Sequence, residues 1–371
     1  MHELTPTDYP RVSALFDPIG CSLAVRAVIA GNNPGQIFVD DVQNPRMALA
    51  ATPEGTMLAG DPLHPPLQDD LRQFLRGVVF TGQVRFIDSE LALSVHPDAW
   101  VALLPDLIPT HEVEALPRYH YLCQELRYDW RIHVPEGYTV RQVDRAFLDD
   151  PTVTMSDEMR DWFDIEEQWE TVDNFLAHGA GFCVMQGHEV ISRCMADCYA
   201  GEQIDIGIRT EPAHQRRGLA SIATAATVEY CLQHGYRQVG WHCDDTNVGS
   251  WKTAEKVGFE RAGEYVYYYY VLDPVDHLAE RGWYFYQRGD YAKTVTYYDR
   301  AFEQRADHPD YYFHLAALAW AELGNADRAL MHLTKAVDHG WSHEAYTREN
   351  DAFSLLHDRP EWGVLLARMA E

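Results

Sequence analysis

The spacing of apolar and polar positions divides the chain into three stretches with different periods. In the first, to about residue 120, Leu15–Phe16 and Ala24–Ile29 read as helix. Gln36–Asp40 reads as a short strand with Ile37 and Val39 on one face. Met47–Ala51 and Thr56–Ala59 flank the turn residues Pro53-Glu54-Gly55 and predict a hairpin. Leu71, Phe74, Leu75 and Val78 have the spacing of one helix face within Asp69–Val79. The stretch reads as a small α/β unit without a catalytic constellation.

From Tyr121 onward strands alternate with helices. Tyr138–Val143 follows the turn Pro135-Glu136-Gly137, and Gly181–Met185 joins Glu189–Ala196 through Gln186-Gly187-His188. Ile204–Thr210 is the next strand and Pro212–Arg217 a turn. Gly218–His234 is predicted helical, with Leu219, Ile222, Ala223, Ala226 and Tyr230 on one side. Val239, Trp241 and Cys243 alternate on a further strand, Ser250–Val257 is a helix stopped by Gly258, and Glu264–Leu272 is an aromatic strand. Beyond Pro274 the pattern is purely helical and repeats. Gly289-Asp290-Tyr291 returns as Gly324-Asn325-Ala326, an offset of 35 residues that also links Tyr298 to Leu333, Ala301 to Ala336 and Trp283 to Leu318. That offset resembles the period of about 34 residues in tetratricopeptide repeats. The expected organisation is three domains: residues 1–120, 121–273 and 274–371, the last an all-α module.

Charge narrows the set of partners. Lys plus Arg number 30 against 57 for Asp plus Glu, a net charge of −27, which repels phosphate backbones and anionic membranes. No apolar run approaches the roughly 18 residues of a membrane span. The start MHELTPTDYP lacks the basic and apolar regions of a secretory signal, so a cytoplasmic location is expected. Seven cysteines, an odd and scattered set, make no disulfide framework. Cys194 and Cys198, with His178, Cys183 and His188 nearby, lie on predicted strands at spacings unlike a zinc knuckle, so no metal is expected. Cys243 and His242 are adjacent on a strand and point to opposite faces, which argues against a nucleophile–base pair.

Chemistry concentrates in Ile204–Phe259. Gln215-Arg216-Arg217-Gly218-Leu219-Ala220 follows a strand and opens a helix. The first N–H groups of a helix have no intrahelical partner, and the dipole behind them favours anions. Gly218 lets a phosphate approach closely, and Arg216 and Arg217 add positive charge. The string resembles the Q/R-x-x-G-x-G/A motif of the GNAT acyltransferases. Ile204–Thr210 and Val239–Cys243 match that family's fourth and fifth strands, and Glu255-Lys256-Val257-Gly258-Phe259 is similar to its closing E-K-x-G-F. Gly35-Gln36-Ile37-Phe38-Val39-Asp40-Asp41, Asn44-Pro45-Arg46, Asp129-Trp130, Pro135-Glu136-Gly137-Tyr138 and Gly179-Ala180-Gly181-Phe182 resemble the zwittermicin A resistance subgroup. There a GNAT-like half without a cofactor motif precedes the active half. The implied fold is α/β (α+β): two GNAT-like units in tandem, then the helical repeats.

The resemblance implies N-acetyl transfer from acetyl-CoA directly to a primary amine. Backbone at Ile208, Arg209 and Thr210 would hold the pantetheine arm. The N–H groups of Gln215, Arg216, Arg217, Gly218, Leu219, Ala220 and Ser221 would hold the pyrophosphate, with Asn247 against the CoA arm. Many relatives have a tyrosine where this chain has Ala254, and that tyrosine protonates the leaving thiolate. Ser250 is the substitute candidate, or the acidic thiol leaves unassisted. Asp205 is the candidate base, ahead of Glu202 and His242. The run Asp157–Asp173, with eight acidic residues against Arg160 alone, is a candidate wall for a small cationic or polyamine-like acceptor; its other reading is a solvated helix face. Trp162, Trp169 and the tyrosines at 265 and 267–270 read as core or as stacking surfaces. The competing function is a non-catalytic CoA sensor or scaffold whose helical repeats bind a protein or peptide.

Overall fold

A computed structural model describes residues 1–17 and 22–370. The chain forms two compact units, Met1–Tyr269 and Tyr270–Glu371. Among the described helices none is long and apolar enough to cross a membrane.

The first unit is organised on one twelve-stranded sheet. Its strands are β1 (His2–Glu3), β2 (Gln36–Val39), β3 (Met47–Thr52), β4 (Gly55–Gly60), β5 (Glu90–His96) and β6 (Glu114–Cys123), then β7 (Tyr138–Gln142), β8 (Gly181–Gln186), β9 (Glu189–Ala200), β10 (Gln203–Thr210), β11 (Gln238–Asp244) and β12 (Glu260–Val271). Their order across the sheet is β1-β2-β3-β4-β5-β12-β6-β11-β10-β9-β8-β7. The predicted strands and the β3–β4 hairpin are present. β3 is buried at every position, so both of its faces are covered and its small apolar residues do not alternate with polar ones.

Each half of this sheet contains one parallel pair, β4 with β5 and β10 with β11. Parallel neighbours need a crossover, and here each crossover carries a helix, Pro65–Gly77 in the first half and Leu219–Gln233 in the second. The two helices open differently. Pro65 and Pro66 fill the first two positions of one and remove two backbone donors, whereas the other is capped by Gly218. The first half therefore repeats the strand–helix–strand crossover with a helix start that offers two fewer backbone donors. Leu219–Gln233 is buried on more sides than its predicted stripe, because Ser221, Thr224, Ala225 and Thr227 are also enclosed. Thr227 makes this tolerable, its hydroxyl donating to the carbonyls of Ala223 and Cys194.

The second unit is helical. Pro274–Gln287, Tyr291–Gln304, Asp310–Glu322 and Ala326–Asp338 form two successive hairpins. The 35-residue echo is realised as the same turn twice. Gly289 and Gly324 both have left-handed φ values, 74° and 73°, and Asp290 and Asn325 then cap the following helices. Tyr298, Ala301, Leu333 and Ala336 are fully buried between the helices.

Candidate active site

The parallel pairing of β10 and β11 covers only Gln203–Asp205 against Gln238–Gly240, although β10 runs on to Thr210 and β11 to Asp244. The strands therefore part just after Asp205. A bulge accompanies the opening: Asp205 pairs with Cys198 but Ile206 with Ala196, so Asp197 is the extra residue on β9. Both carboxylates use space made by a glycine. A Cβ at Gly240 would meet Asp205, and a Cβ at Gly207 would lie 2.8 Å from Asp197 Oδ2.

Asp205 is 9% exposed, and its Oδ2 lies 3.4 Å from Nε2 of His242. Nδ1 of His242 is buried without a hydrogen-bond partner, and Nε2 is the ring nitrogen that faces the Asp205 carboxylate. His120 stacks on this imidazole with centroids 4.4 Å apart, and burial together with His242 pushes His120 down to about 4. Two imidazoles and a carboxylate therefore stand side by side where the strands part.

Asp205 and His242 line a cleft with Thr52, Glu54, Ser94 and Arg118. Glu54 comes from the tip of the β3–β4 hairpin, and the Tyr267 hydroxyl fixes that tip by donating to the Glu54 carbonyl at 2.7 Å. Its side chain is reached by water yet ringed by protein, so burial and the nearby Asp205 raise its carboxyl, while Gln168 hydrogen-bonds to it. Burial and Glu54 hold the Asp197 carboxyl well above the usual range. Arg118 is committed to Asp244 at 2.6 Å and lies 4.9 Å from the Tyr267 ring centre.

The cradle predicted at Gln215–Ser221 has its own geometry. Arg216 and Gly218 both have positive φ, 60° and 82°, which turns the chain sharply into the helix. In front of Gly218 there is open space, the nearest atom to a hypothetical Cβ being Lys256 Nζ at 3.7 Å. Leu219, Ala220 and Ser221 form the first helical turn. Arg217 donates to the Tyr138 hydroxyl at 3.3 Å, and Gln215 to the Thr210 carbonyl at 3.3 Å. The Gln215 N–H is taken, donating to the Pro212 carbonyl at 3.3 Å, but from Arg216 to Ser221 the residues fit a diphosphate, with open space at Gly218, a helix dipole end and Arg216, Arg217 and Lys256 nearby. Ile208, Arg209 and Thr210 lie on the part of β10 beyond its separation from β11.

Asn247 and Ser250 open the helix Val248–Val257. Asn247 Oδ1 accepts from the Ser250 N–H at 3.1 Å as its cap. Ser250 Oγ accepts from Trp241 Nε1 at 3.0 Å, on the face of β11 opposite Asp205, so the two catalytic candidates are not in contact. Ala254 is fully buried. Much of the acidic run serves the fold locally: Glu158 pairs with Arg209, Asp173 with Arg145 and Asp164 caps Ile165–Trp169. Trp169 is core, its Nε1 donating to the Ala196 carbonyl, while Trp162 is half exposed.

Glu54, Asp197, Arg118 and Lys256 were not singled out as site residues by sequence reasoning. Asp197 had a weak signal, a carboxylate within β9, a strand that also carries Arg193 among its apolar residues. Glu54 had none, because a hairpin tip about 150 residues from Asp205 carries no local mark of what it faces.

Comparison with known proteins identifies the family. A curated protein of Bacillus subtilis (strain 168), named as the uncharacterized N-acetyltransferase YdfB, is 25% identical over 270 residues, 72% of this chain and 98% of that protein. A GCN5-related N-acetyltransferase-like crystal structure from Streptococcus suis 89/1591 superposes with a TM-score of 0.53 at 24% identity, covering 71% of this chain and 99% of that one. The family profile described as GNAT acetyltransferase matches residues 13–268, most of the chain, and the protein therefore belongs to the GNAT acetyltransferase family.

Proposed function

We propose that the chain transfers an acetyl group from acetyl-CoA to the primary amine of a small cationic acceptor. The observation that carries this reading is the parting of β10 and β11 at Asp205 and Gly240, with the open Gly218 cradle at the start of the next helix. Acetyl-CoA supplies an activated acyl thioester when bound. Main chain at Ile208–Thr210 and the N–H groups from Arg216 to Ser221 would bind and orient it, with Lys256 adding charge beside Gly218. Asp205, supported by His242, accepts the ammonium proton and so releases the nucleophilic lone pair. Ser250 offers a hydroxyl proton to the departing sulfur, a modest demand because thiols are acidic. The carboxylates of Glu54 and Asp205 in the cleft favour a positively charged acceptor.

Within the same proposal, the first half of the sheet is a GNAT-like unit that has lost its cradle, of the zwittermicin-resistance type, and the helical hairpins are tetratricopeptide-like. Calorimetric titration with acetyl-CoA and with CoA tests the cofactor site, followed by thiol release with a panel of amines. Micromolar binding of both and turnover lost in Asp205→Asn are expected. Absence of binding to either would overturn the reading.

A further inference from the structure

One row of opposed side chains crosses four strands: Arg141 on β7, Cys183 on β8, Arg193 on β9 and Arg209 on β10. Directly opposed residues share a sheet face and lie close together, so like charges there repel unless each has an anion. The outer two arginines have one. Arg141 donates to Asp150 at 2.9 Å, and Arg209 is ion-paired with Glu158. Arg193, between them, is 6% exposed, and its Nε has no hydrogen-bond partner. Among the described residues no carboxylate is ion-paired with it. Asp197, the acid whose charge it feels, packs over Gly207 instead. The half-exposed Trp162 ring stands 5.8 Å from the Arg193 guanidinium and 5.4 Å from that of Arg209.

A buried guanidinium nitrogen such as Arg193 Nε without a hydrogen-bond partner is rare, because its desolvation is uncompensated. Its planar fork matches a carboxylate. The position connects it to the reaction. Asp205, Gly207 and Arg209 alternate onto the same face of β10, and the four residues from Asp205 to Arg209 span roughly 13 Å. Arg193 is the β9 partner of Arg209 on that face. Thr227, on the helix that opens at the cradle, bonds the neighbouring Cys194, whose side chain alternates to the other face.

We propose that Arg193, under Trp162, is the docking point for a carboxylate of the acceptor, which makes the acceptor an amino carboxylate rather than a simple amine. The proposal rests on the acetyl-transfer reading. It places the reacting nitrogen near Asp205 and the carboxylate at Arg193, about 14 Å apart along and across the sheet as scaled from four strand rises and one interstrand spacing.

The test uses the full chain with acetyl-CoA and matched acceptors of equal length ending in a carboxylate, a carboxamide or a phosphonate. For the wild type, the carboxylate acceptor should have a KM at least about tenfold below that of the carboxamide, the scale of one charge-assisted contact. In Arg193→Gln that preference should vanish, with CoA affinity and kcat for the carboxamide unchanged; Arg193→Lys should keep part of it. Equal KM values in the wild type, a preference that survives Arg193→Gln, or a stronger preference for phosphonate would overturn the proposal. So would an Arg193-dependent choice of succinyl-CoA over acetyl-CoA, which would assign the carboxylate to the donor. Tryptophan fluorescence titrated with glutarate supplies a readout without turnover: a saturable change is expected, lost in Trp162→Phe and in Arg193→Gln, and no change overturns the docking point. A wild type that binds no CoA would sink the functional reading alone, and the fluorescence result would still judge Arg193.

Discussion

A Cβ placed on Gly240 would lie 1.8 Å from Oδ1 of Asp205. No side chain fits in that gap, so the glycine is what allows a carboxylate to occupy the point where the two parallel strands part. It also lets Asp205 lean toward His242 on the same strand as the glycine. The role of Gly240 is spatial, since its backbone is not in the left-handed region.

Gly240→Ala should therefore act on chemistry and leave cofactor binding alone. The added methyl displaces the Asp205 carboxylate from His242, and a misplaced general base costs on the order of 10²-fold in kcat. CoA affinity measured by calorimetry should be unchanged, because Gly218 and Lys256 are untouched. A variant with wild-type kcat would show that Asp205 does not serve as the base.

Lys256 was visible in the sequence only as a letter of a closing motif. The structure puts its Nζ beside the open space at Gly218, 5.2 Å from the Tyr128 ring centre. Lys256→Gln removes the charge and keeps most of the stem. Loss of one charge-assisted contact to a diphosphate should weaken CoA binding about tenfold and flatten its dependence on salt. Dephospho-CoA should lose the same factor if the contact is to the diphosphate. An unchanged dissociation constant would remove Lys256 from the cradle.

What the sequence made legible follows the range of the interactions. Strand alternation, the Gly218 turn and the Gly289/Gly324 echo are set by neighbours within a few residues, and each appears where expected. The union of both halves into one sheet was hidden, because β6 enters between β12 and β11 and β5 joins β12 through contacts such as Ser94 to the Val266 carbonyl at 3.2 Å. That pairing joins residues about 170 positions apart. Glu54 and Arg193 were hidden for the same reason: a turn residue and a strand arginine acquire meaning only from what lies across the sheet. The acidic run was conspicuous by composition, yet several of its carboxylates are occupied by caps and ion pairs with Arg145 and Arg209.

The cysteines make a further expectation concrete. Cys183 and Cys194 are fully buried, and burial pushes both thiols up to about 12; Cys123 is pushed up to about 11. Thiolate is the reactive form, so these side chains should resist iodoacetamide at pH 8 in the folded protein and react on addition of denaturant. Mass spectrometry after labelling separates the sites. Rapid native alkylation of Cys183 or Cys194 would contradict the packing of β8 and β9.

The helical unit should lose stability in mild acid because of two buried histidines. His314 is 1% exposed and stacks on Trp341 with centroids 4.0 Å apart; burial pushes it down to about 3. His332 is 2% exposed with neither ring nitrogen hydrogen-bonded, and burial pushes it down to about 4. In the unfolded chain both protonate near 6.5. Below that pH the unfolded state binds protons that the folded state refuses, so stability falls as pH drops from about 6.5 toward about 4, by up to roughly 1.4 kcal/mol per pH unit for each histidine. Above pH 7 both rings are neutral in either state and contribute no slope. The interval from pH 6.5 to 5 is the cleanest, since most carboxylates have yet to titrate. Hydrogen-exchange protection of the Asp310–Glu322 and Ala326–Asp338 helices in the full chain should decline steadily across it. His332→Leu should reduce that slope by about half. Protection that stays level from pH 7 to 5 would mean that the two imidazoles find hydrogen-bond partners or water, and that the packing of this hairpin differs from the one described.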